Sequence, residues 1–328
     1  MEKKICINKI LAIVLVLAMS VMVFAGCANT ANTSSENKKY SIVCTTFPQY
    51  DWVREIIGSH SEDFELTLLL DNGVDLHSYQ PTAEDISKIA SADMFIYVGG
   101  ESDGWVKDAL KEATNKNVKV INMLESLGSQ VKEEEVVEGM EVEEGEEEAP
   151  EYDEHVWLSI KNAAALTEML AKVIEEIDTT NASDYTDNGA NYITKLNALD
   201  KQYEETVNSA SKKTVVFGDR FPFRYLVDDY GINYYAAFVG CSAETNASFE
   251  TITFLAGKVD ALGLSSILVI ENSDQKIAET IKQNTSNKAQ QILVMDSLQS
   301  ITDDELSGGT TYYSVMLQNL EVLKQALK

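Results

Sequence analysis

The chain has 328 residues, 53 acidic against 26 basic, for a net charge of −27 at neutral pH. That excess excludes nucleic acid as a partner and a basic surface lying on anionic lipid. Four cysteines in so long a chain do not make a disulfide framework, and the length leaves room for two domains with cores of their own.

The first element is a leader. Lys3 and Lys4 precede an apolar run from Ile10 to Phe24, which ends in Ala25 and Gly26 directly before Cys27. A basic start, an apolar stretch and small residues make a secretory signal over 1–26. The run falls short of the roughly twenty apolar residues that span a bilayer. Its junction resembles the lipobox of bacterial lipoproteins, which implies a lipid on Cys27 and anchoring to the outer face of the cell membrane. Residues 27–39, rich in Ser, Thr and Asn, read as a flexible tether.

Tyr40–Cys44 reads as a buried strand, with a helix near Gln49–Ile57 and a second strand at Leu66–Leu70. A glycine-containing loop then delivers His77. Thr82 and Asp85 open a short helix in the manner of a capping box. Met94–Val98 and Val118–Asn122 are further strands. Strands alternating with helices at this spacing predict an α/β fold with mainly parallel sheets.

Residues 132–154 hold thirteen acidic side chains and one lysine. Without apolar period, the segment is expected to be mobile: a solvated loop, or a negative field that gathers cations. His155 follows it directly, between Asp153-Glu154 and Val156-Trp157. Leu166, Leu170, Val173 and Ile177 then mark one helix face. Tyr192, Leu196, Leu199 and Tyr203 mark another, on an uninterrupted helix from Tyr185 to Ala210 that suits a rigid connector.

Further strands are expected at Thr214–Phe217, Tyr234–Phe238, Ile267–Ile270 and Ile292–Met295, with a helix over Tyr312–Leu327. Ligands of open α/β sheets bind beyond the carboxyl ends of strands. Those ends offer Gly218-Asp219, Gly240-Cys241, Glu271 and Asp296. His77 and His155 sit in short polar turns beside carboxylates, and neutral imidazole is the commonest ligand of first-row metals. His60 lies in an exposed turn, Cys44 reads as a small buried hydrophobe, and Trp157 as core that walls the site.

Six segments, T-T-F-P-Q-Y-D-W-V-R-E-I-I-G (45–58), D-L-H-S-Y-Q-P-T-A-E-D-I (75–86), A-D-M-F-I-Y-V-G-G (92–100), E-H-V-W-L-S (154–159), N-Y-I-T-K-L-N-A-L-D (191–200) and Y-Y-S-V-M-L-Q-N-L (312–320), resemble the zinc- and manganese-binding solute receptors of bacterial ABC importers. The resemblance implies an N-terminal lobe over 40–180, a linking helix over 181–211 and a C-terminal lobe over 212–328, with the metal in the cleft between lobes. It also implies delivery to an ABC permease by a lipid-anchored monomer, without catalysis.

Carried over residue by residue, His77 and His155 match two ligands and Asp296 a carboxylate ligand. The family's third ligand, His or Glu, stands eleven residues before the Gly of its Y-G-L/I element. Here that element is Tyr230-Gly231-Ile232, and the position is Arg220. A guanidinium cannot ligate a cation, so Asp219 is the expected replacement, with Cys241 and Glu244 as alternatives. Arg220 is expected to pair with Asp219 or Glu271 beside the ligands. A thiolate would favour zinc; an all-carboxylate completion would leave manganese open. An adhesin is a second reading. An enzyme such as a metal-dependent hydrolase is a third, but no nucleophile elbow or phosphate loop accompanies the carboxylates.

Overall fold

The structure, a computed structural model, describes residues 39–141, 152–242 and 246–328. The signal sequence, Cys27 with nearly all of its tether, the middle of the acidic segment and Glu244 lie outside the described residues.

Strands β1 (Tyr40–Cys44), β2 (Phe64–Leu68), β3 (Met94–Tyr97) and β4 (Lys119–Asn122) form a parallel sheet in the order β2-β1-β3-β4. Strands β5 (Thr214–Phe221), β6 (Asn233–Val239), β7 (Ser266–Val269) and β8 (Gln291–Val294) repeat that order as β6-β5-β7-β8, again parallel. This is the expected α/β architecture. In each sheet the winding reverses beside its first strand, where open parallel sheets place ligands.

Two strands differ from the sequence reading by more than one residue at an end. β2 begins at Phe64, because that ring is buried against Tyr40 and Tyr185. β5 runs past Phe217 to Phe221, and its pairing with β6 shifts between Phe217 and Arg220. An irregularity of this kind re-aims side chains at a strand end, and here it affects Asp219 and Arg220.

The helix Ala182–Ser209 buries Tyr185, Tyr192, Leu196, Leu199, Tyr203 and Val207 along one stripe. At 1.5 Å rise per residue it is about 42 Å long. It packs on the helices Phe47–Ile57 and Ile160–Ile177 of the first half and on Tyr312–Ala326 near the C-terminus. Tyr203 Oη donates to the Met316 carbonyl at 2.5 Å, so the connector is fixed by a hydrogen bond as well as by packing.

One hydrophobic core runs through both halves and includes Val43 and Ile96 with Val215 and Phe217. A smaller core, with Val216, Phe238 and Val259, covers the opposite face of the second sheet. Trp157 is fully buried where the halves meet. Its Nε1 donates to the Ser297 carbonyl at 2.8 Å, and its own carbonyl accepts from Tyr312 Oη at 2.7 Å. The Tyr312 amide donates in turn to the buried Asp51 carboxylate at 2.7 Å.

The first described stretch of the acidic segment, residues 132–141, is not the free loop its composition suggests. Glu135 pairs with Arg224 at 2.8 Å and Glu138 with Lys258 at 3.1 Å. The Glu141 amide donates to the Ala237 carbonyl of β6 at 2.9 Å. β6 is an edge strand, whose unpaired backbone groups need a cover. The basic side chains that hold the cover come from elsewhere in the chain, beyond reach of local pattern. No helix among the described residues is long and apolar enough to cross a membrane.

Trp157→Phe keeps an aromatic ring but leaves the buried Ser297 carbonyl without its donor. Denaturant titration should show about 1–3 kcal/mol of lost stability, with unchanged far-ultraviolet dichroism.

Candidate metal centre

Each histidine is delivered by a turn that a carboxylate holds in shape. Asp75 caps the turn Leu76–Ser78, accepting the His77 amide at 3.0 Å, while the apolar Leu76 anchors the turn in the core. On the other side, Glu133 and Tyr152 form an antiparallel bridge that closes the base of the acidic excursion. Asp153 then accepts both the amide and Nδ1 of His155, at 2.8 and 2.9 Å. The turn Val156–Leu158 follows, and Ser159 caps the helix Ile160–Ile177. A buried tryptophan and a capped helix thus fix His155 from behind.

The two rings meet edge to edge, with Nε2 to Nε2 at 3.2 Å. His77 Nδ1 lies 2.9 Å from Ser102 Oγ and 3.7 Å from Glu154 Oε2. Asp153 thus backs His155 by hydrogen bonds, and Ser102 backs His77, with the Glu154 carboxylate nearby but without a hydrogen-bond partner on Oε2. A carboxylate at Nδ1 fixes the tautomer and turns the Nε2 lone pair forward. Two such lone pairs at this distance need a proton or a cation between them.

The thiol of Cys241 completes the group. One donor atom each from His77, His155 and Cys241 lies within 4.8 Å of the others. Cys241 follows β6, so the site takes ligand atoms from both sheets. Its amide donates to Glu134 Oε1 at 3.2 Å. Gly240 lets this loop approach: a Cβ there would stand 2.9 Å from His155 Cε1 and 3.0 Å from the Phe221 carbonyl. Gly100, at φ +97°, gives way to the Glu154 carboxylate in the same manner. The Trp157 ring walls the site edge-on to His155, with centroids 5.4 Å apart.

Burial, then the charge of His155, then that of Arg220 push the His77 imidazolium down to about 3 against the pull of Asp75. Burial also works against charge on His155, yet the Asp153, Glu154 and Glu134 carboxylates outweigh it and the net shift is upward. Burial raises Glu154 to about 7. Burial and the Glu134 and Glu154 carboxylates drive the Cys241 thiol well above its ordinary value. Until a cation arrives, the thiol keeps its proton.

The structure does not bring Asp219 or Asp296 into this group. Asp219 Oδ1 accepts the Arg220 amide at 2.9 Å, and its Oδ2 is buried without a hydrogen-bond partner. Asp296 Oδ1 accepts the Leu298 amide at 2.8 Å, and Asn319 brackets its backbone. Glu271 is taken up by the amide and hydroxyl of Ser297, at 2.7 and 2.6 Å. Arg220 pairs with neither of its expected partners: its Nη2 donates to Asp75 Oδ2 at 2.8 Å. His60 is not merely exposed, since Nε2 lies 2.7 Å from Asp184 Oδ2. Cys44 is buried within β1, as expected.

Sequence reasoning missed Ser102 and Glu134. Ser102 follows the Gly99-Gly100 end of β3, a place where ligand contacts are expected. Glu134 stands in a run of glutamates and carries no local signal. A cavity of about 740 Å³ opens beside the group, lined by His77, Ser102, Asn122, Glu154 and Cys241 among others.

The family described as "Zinc-uptake complex component A periplasmic" matches residues 42–326. The chain belongs to this family. It is 30% identical over 322 residues to the zinc-binding protein AdcA of Streptococcus pyogenes serotype M3, covering 95% of this chain and 61% of that one. The chain thus spans about three-fifths of that relative. It is 28% identical to the high-affinity zinc uptake system protein ZnuA of Bacillus subtilis, covering 95% and 96% of the two chains. The crystal structure of the Zn(II)-bound ZnuA-like domain of Streptococcus pneumoniae AdcA superposes with a TM-score of 0.69 at 30% identity, over 88% of this chain and 99% of that one. The family is one of transport components, not of enzymes.

Burial raises Asp51, Asp103 and Asp296 to about 6, and Glu154 and Glu271 to about 7. A raised carboxyl makes the folded state the better proton binder, so its stabilising share is present at low pH and lost as pH rises through the folded value. The raised His155 acts in the same sense. The lowered His77 acts against them, losing its share as pH falls from its unfolded value toward about 3. Five carboxyls and His155 outweigh one imidazole. The metal-free protein should therefore melt at a higher temperature near about pH 5.5 than near about pH 8. A calorimetric scan that rises toward alkaline pH would contradict this balance.

Proposed function

We propose that this chain is the extracytoplasmic receptor of a zinc-importing ABC system, and that it holds Zn²⁺ between its two halves with His77, His155 and Cys241. The observation that carries the reading is the convergence of one nitrogen from each histidine and one thiol sulfur from opposite sheets. Two imidazoles and a thiolate suit zinc, which takes mixed nitrogen and sulfur donors in a tetrahedral shell. The same set disfavours manganese, which prefers oxygen donors. Kinship supports the same cargo, since relatives along nearly the whole chain are named zinc-binding and zinc-uptake proteins.

Three protein donors leave one tetrahedral position, and the open cavity beside His77 and Cys241 gives water or the departing ion a path. Binding and release, not turnover, are the activity. The receptor is anchored through a lipid on Cys27, works as a monomer and hands its ion to a permease. Residues 40–180 and 212–328 act as the two lobes, with 181–211 as the connector.

Binding to the folded protein alone raises the melting temperature, so saturating Zn²⁺ should do so here. In calorimetric titration, His77→Ala should weaken Zn²⁺ by more than about a hundredfold, beyond the loss that changes around a metal site usually cause. With Cd²⁺ as probe, the wild type should show a near-ultraviolet thiolate charge-transfer band that Cys241→Ser lacks. A wild-type melting curve indifferent to zinc would sink the receptor reading. A band that persists in Cys241→Ser would move the third ligand elsewhere.

A further inference from the structure

Arg220 stands where a third ligand is expected, yet it carries a positive charge into a site for cations. Its surroundings explain how that charge is tolerated. Nη2 donates to Asp75 Oδ2 at 2.8 Å, and the pair is largely shielded, with side-chain exposures of 19% and 29%. The other oxygen of the same carboxylate, Oδ1, accepts the His77 amide at 3.0 Å. Asp75 therefore has one oxygen on each side of the cleft: one shapes the histidine turn, the other is gripped by a guanidinium from β5.

We infer that Arg220 is a positioning residue for the metal site: through Asp75 it ties the His77 turn to the C-terminal sheet, so that His77 already faces His155 and Cys241 before an ion binds. In a site built from two halves, a metal ligand from the second half would draw the halves together only once the ion is present. An arginine makes the corresponding link without the ion. The irregular pairing between Phe217 and Arg220 is the local device that aims the side chain across the cleft. A charge-assisted bond to a carboxylate is directional as well as strong, so it fixes the turn's orientation and not only its distance. The ion pair also cancels the guanidinium charge locally, which leaves the cation to meet the thiolate and its neighbouring carboxylates.

The inference rests on the receptor reading, and its test separates the two. Zn²⁺ affinity would be measured by competition with a chromophoric chelator for the wild type, Arg220→Ala, Arg220→Lys, Asp75→Asn and the Arg220→Ala/Asp75→Asn double variant. Asp75→Asn keeps an oxygen for the His77 amide and removes only the charge pair. Arg220→Ala and Asp75→Asn should each weaken zinc by about tenfold or more, the range for partners that orient ligands. The double variant should be no worse than the worse single one, and Arg220→Lys should recover most of the loss. At saturating Cd²⁺ the thiolate band should match the wild type in every variant, because Cys241 is not moved. A merely structural role would lower the metal-free melting temperature and leave zinc affinity unchanged. Wild-type affinity in Arg220→Ala, or additive losses in the double variant, would overturn the inference while the receptor reading stands. Failure of the wild type to bind zinc would overturn both.

Discussion

Two imidazole nitrogens held 3.2 Å apart are the constraint on which this molecule turns. Each ring is pinned from behind, His155 by Asp153 and His77 by Ser102 with Glu154 close by. Neither can rotate away without breaking a buried polar contact, whose loss costs more than an exposed one. The lone pairs must therefore share something, a proton when metal is absent or a cation when it is present. The two rings shift in opposite senses: burial, then the His155 charge, lowers His77, while the Asp153, Glu154 and Glu134 carboxylates outweigh burial and raise His155. Metal capture at such a centre is a replacement of protons, and its strength must grow with pH until the imidazoles and thiol are free.

The fold around the pair is built to keep it in register. Trp157 is two residues from His155 and reaches the Ser297 carbonyl across the junction of the halves. Tyr312 closes the circuit by bonding the Trp157 carbonyl and the Asp51 carboxylate. A single core passes beneath the site, and the connecting helix lies along both halves. A ligand can shift such a structure only by its difference in affinity between arrangements. Here much of the joining is done by protein contacts. That suits the proposed receptor, whose halves are joined by protein contacts as well as by the ion.

The architecture was legible because its signals are local. Short β-branched strands, capped helices and the Tyr192–Tyr203 stripe each announce themselves within a dozen residues. His77 and His155 were legible for the same reason, each sitting in a turn beside its own carboxylate. The rest of the site was not, because it depends on which strand ends face each other. Asp219, Cys241, Glu271 and Asp296 all follow strands of one sheet and look equivalent in sequence. In the structure Glu271 bonds Ser297, Asp296 Oδ1 accepts the Leu298 amide, Asp219 Oδ2 is buried without a hydrogen-bond partner, and Gly240 lets the Cys241 loop approach His155. The start of the acidic segment was illegible for a related reason. Its composition says solvent, but Arg224, Lys258 and the open edge of β6 lie far away in sequence and hold residues 132–141 down.

Arginine at position 220 and cysteine at position 241 are best understood together. A guanidinium close to a bound dication would repel it if left unpaired, and the Asp75 carboxylate removes that cost. In the proposed site the third donor comes from β6, the strand paired with β5 at that point. Its end carries the Cys241 thiol, whose conjugate base would bring a negative charge that a neutral imidazole would not. With a thiolate in the proposed shell, a bound zinc ion would carry less net charge, and the nearby Glu134 and Glu154 carboxylates would not have to neutralise it directly. On the proposed ligand set, Arg220 would act as a strut and the end of β6 would supply the ligand.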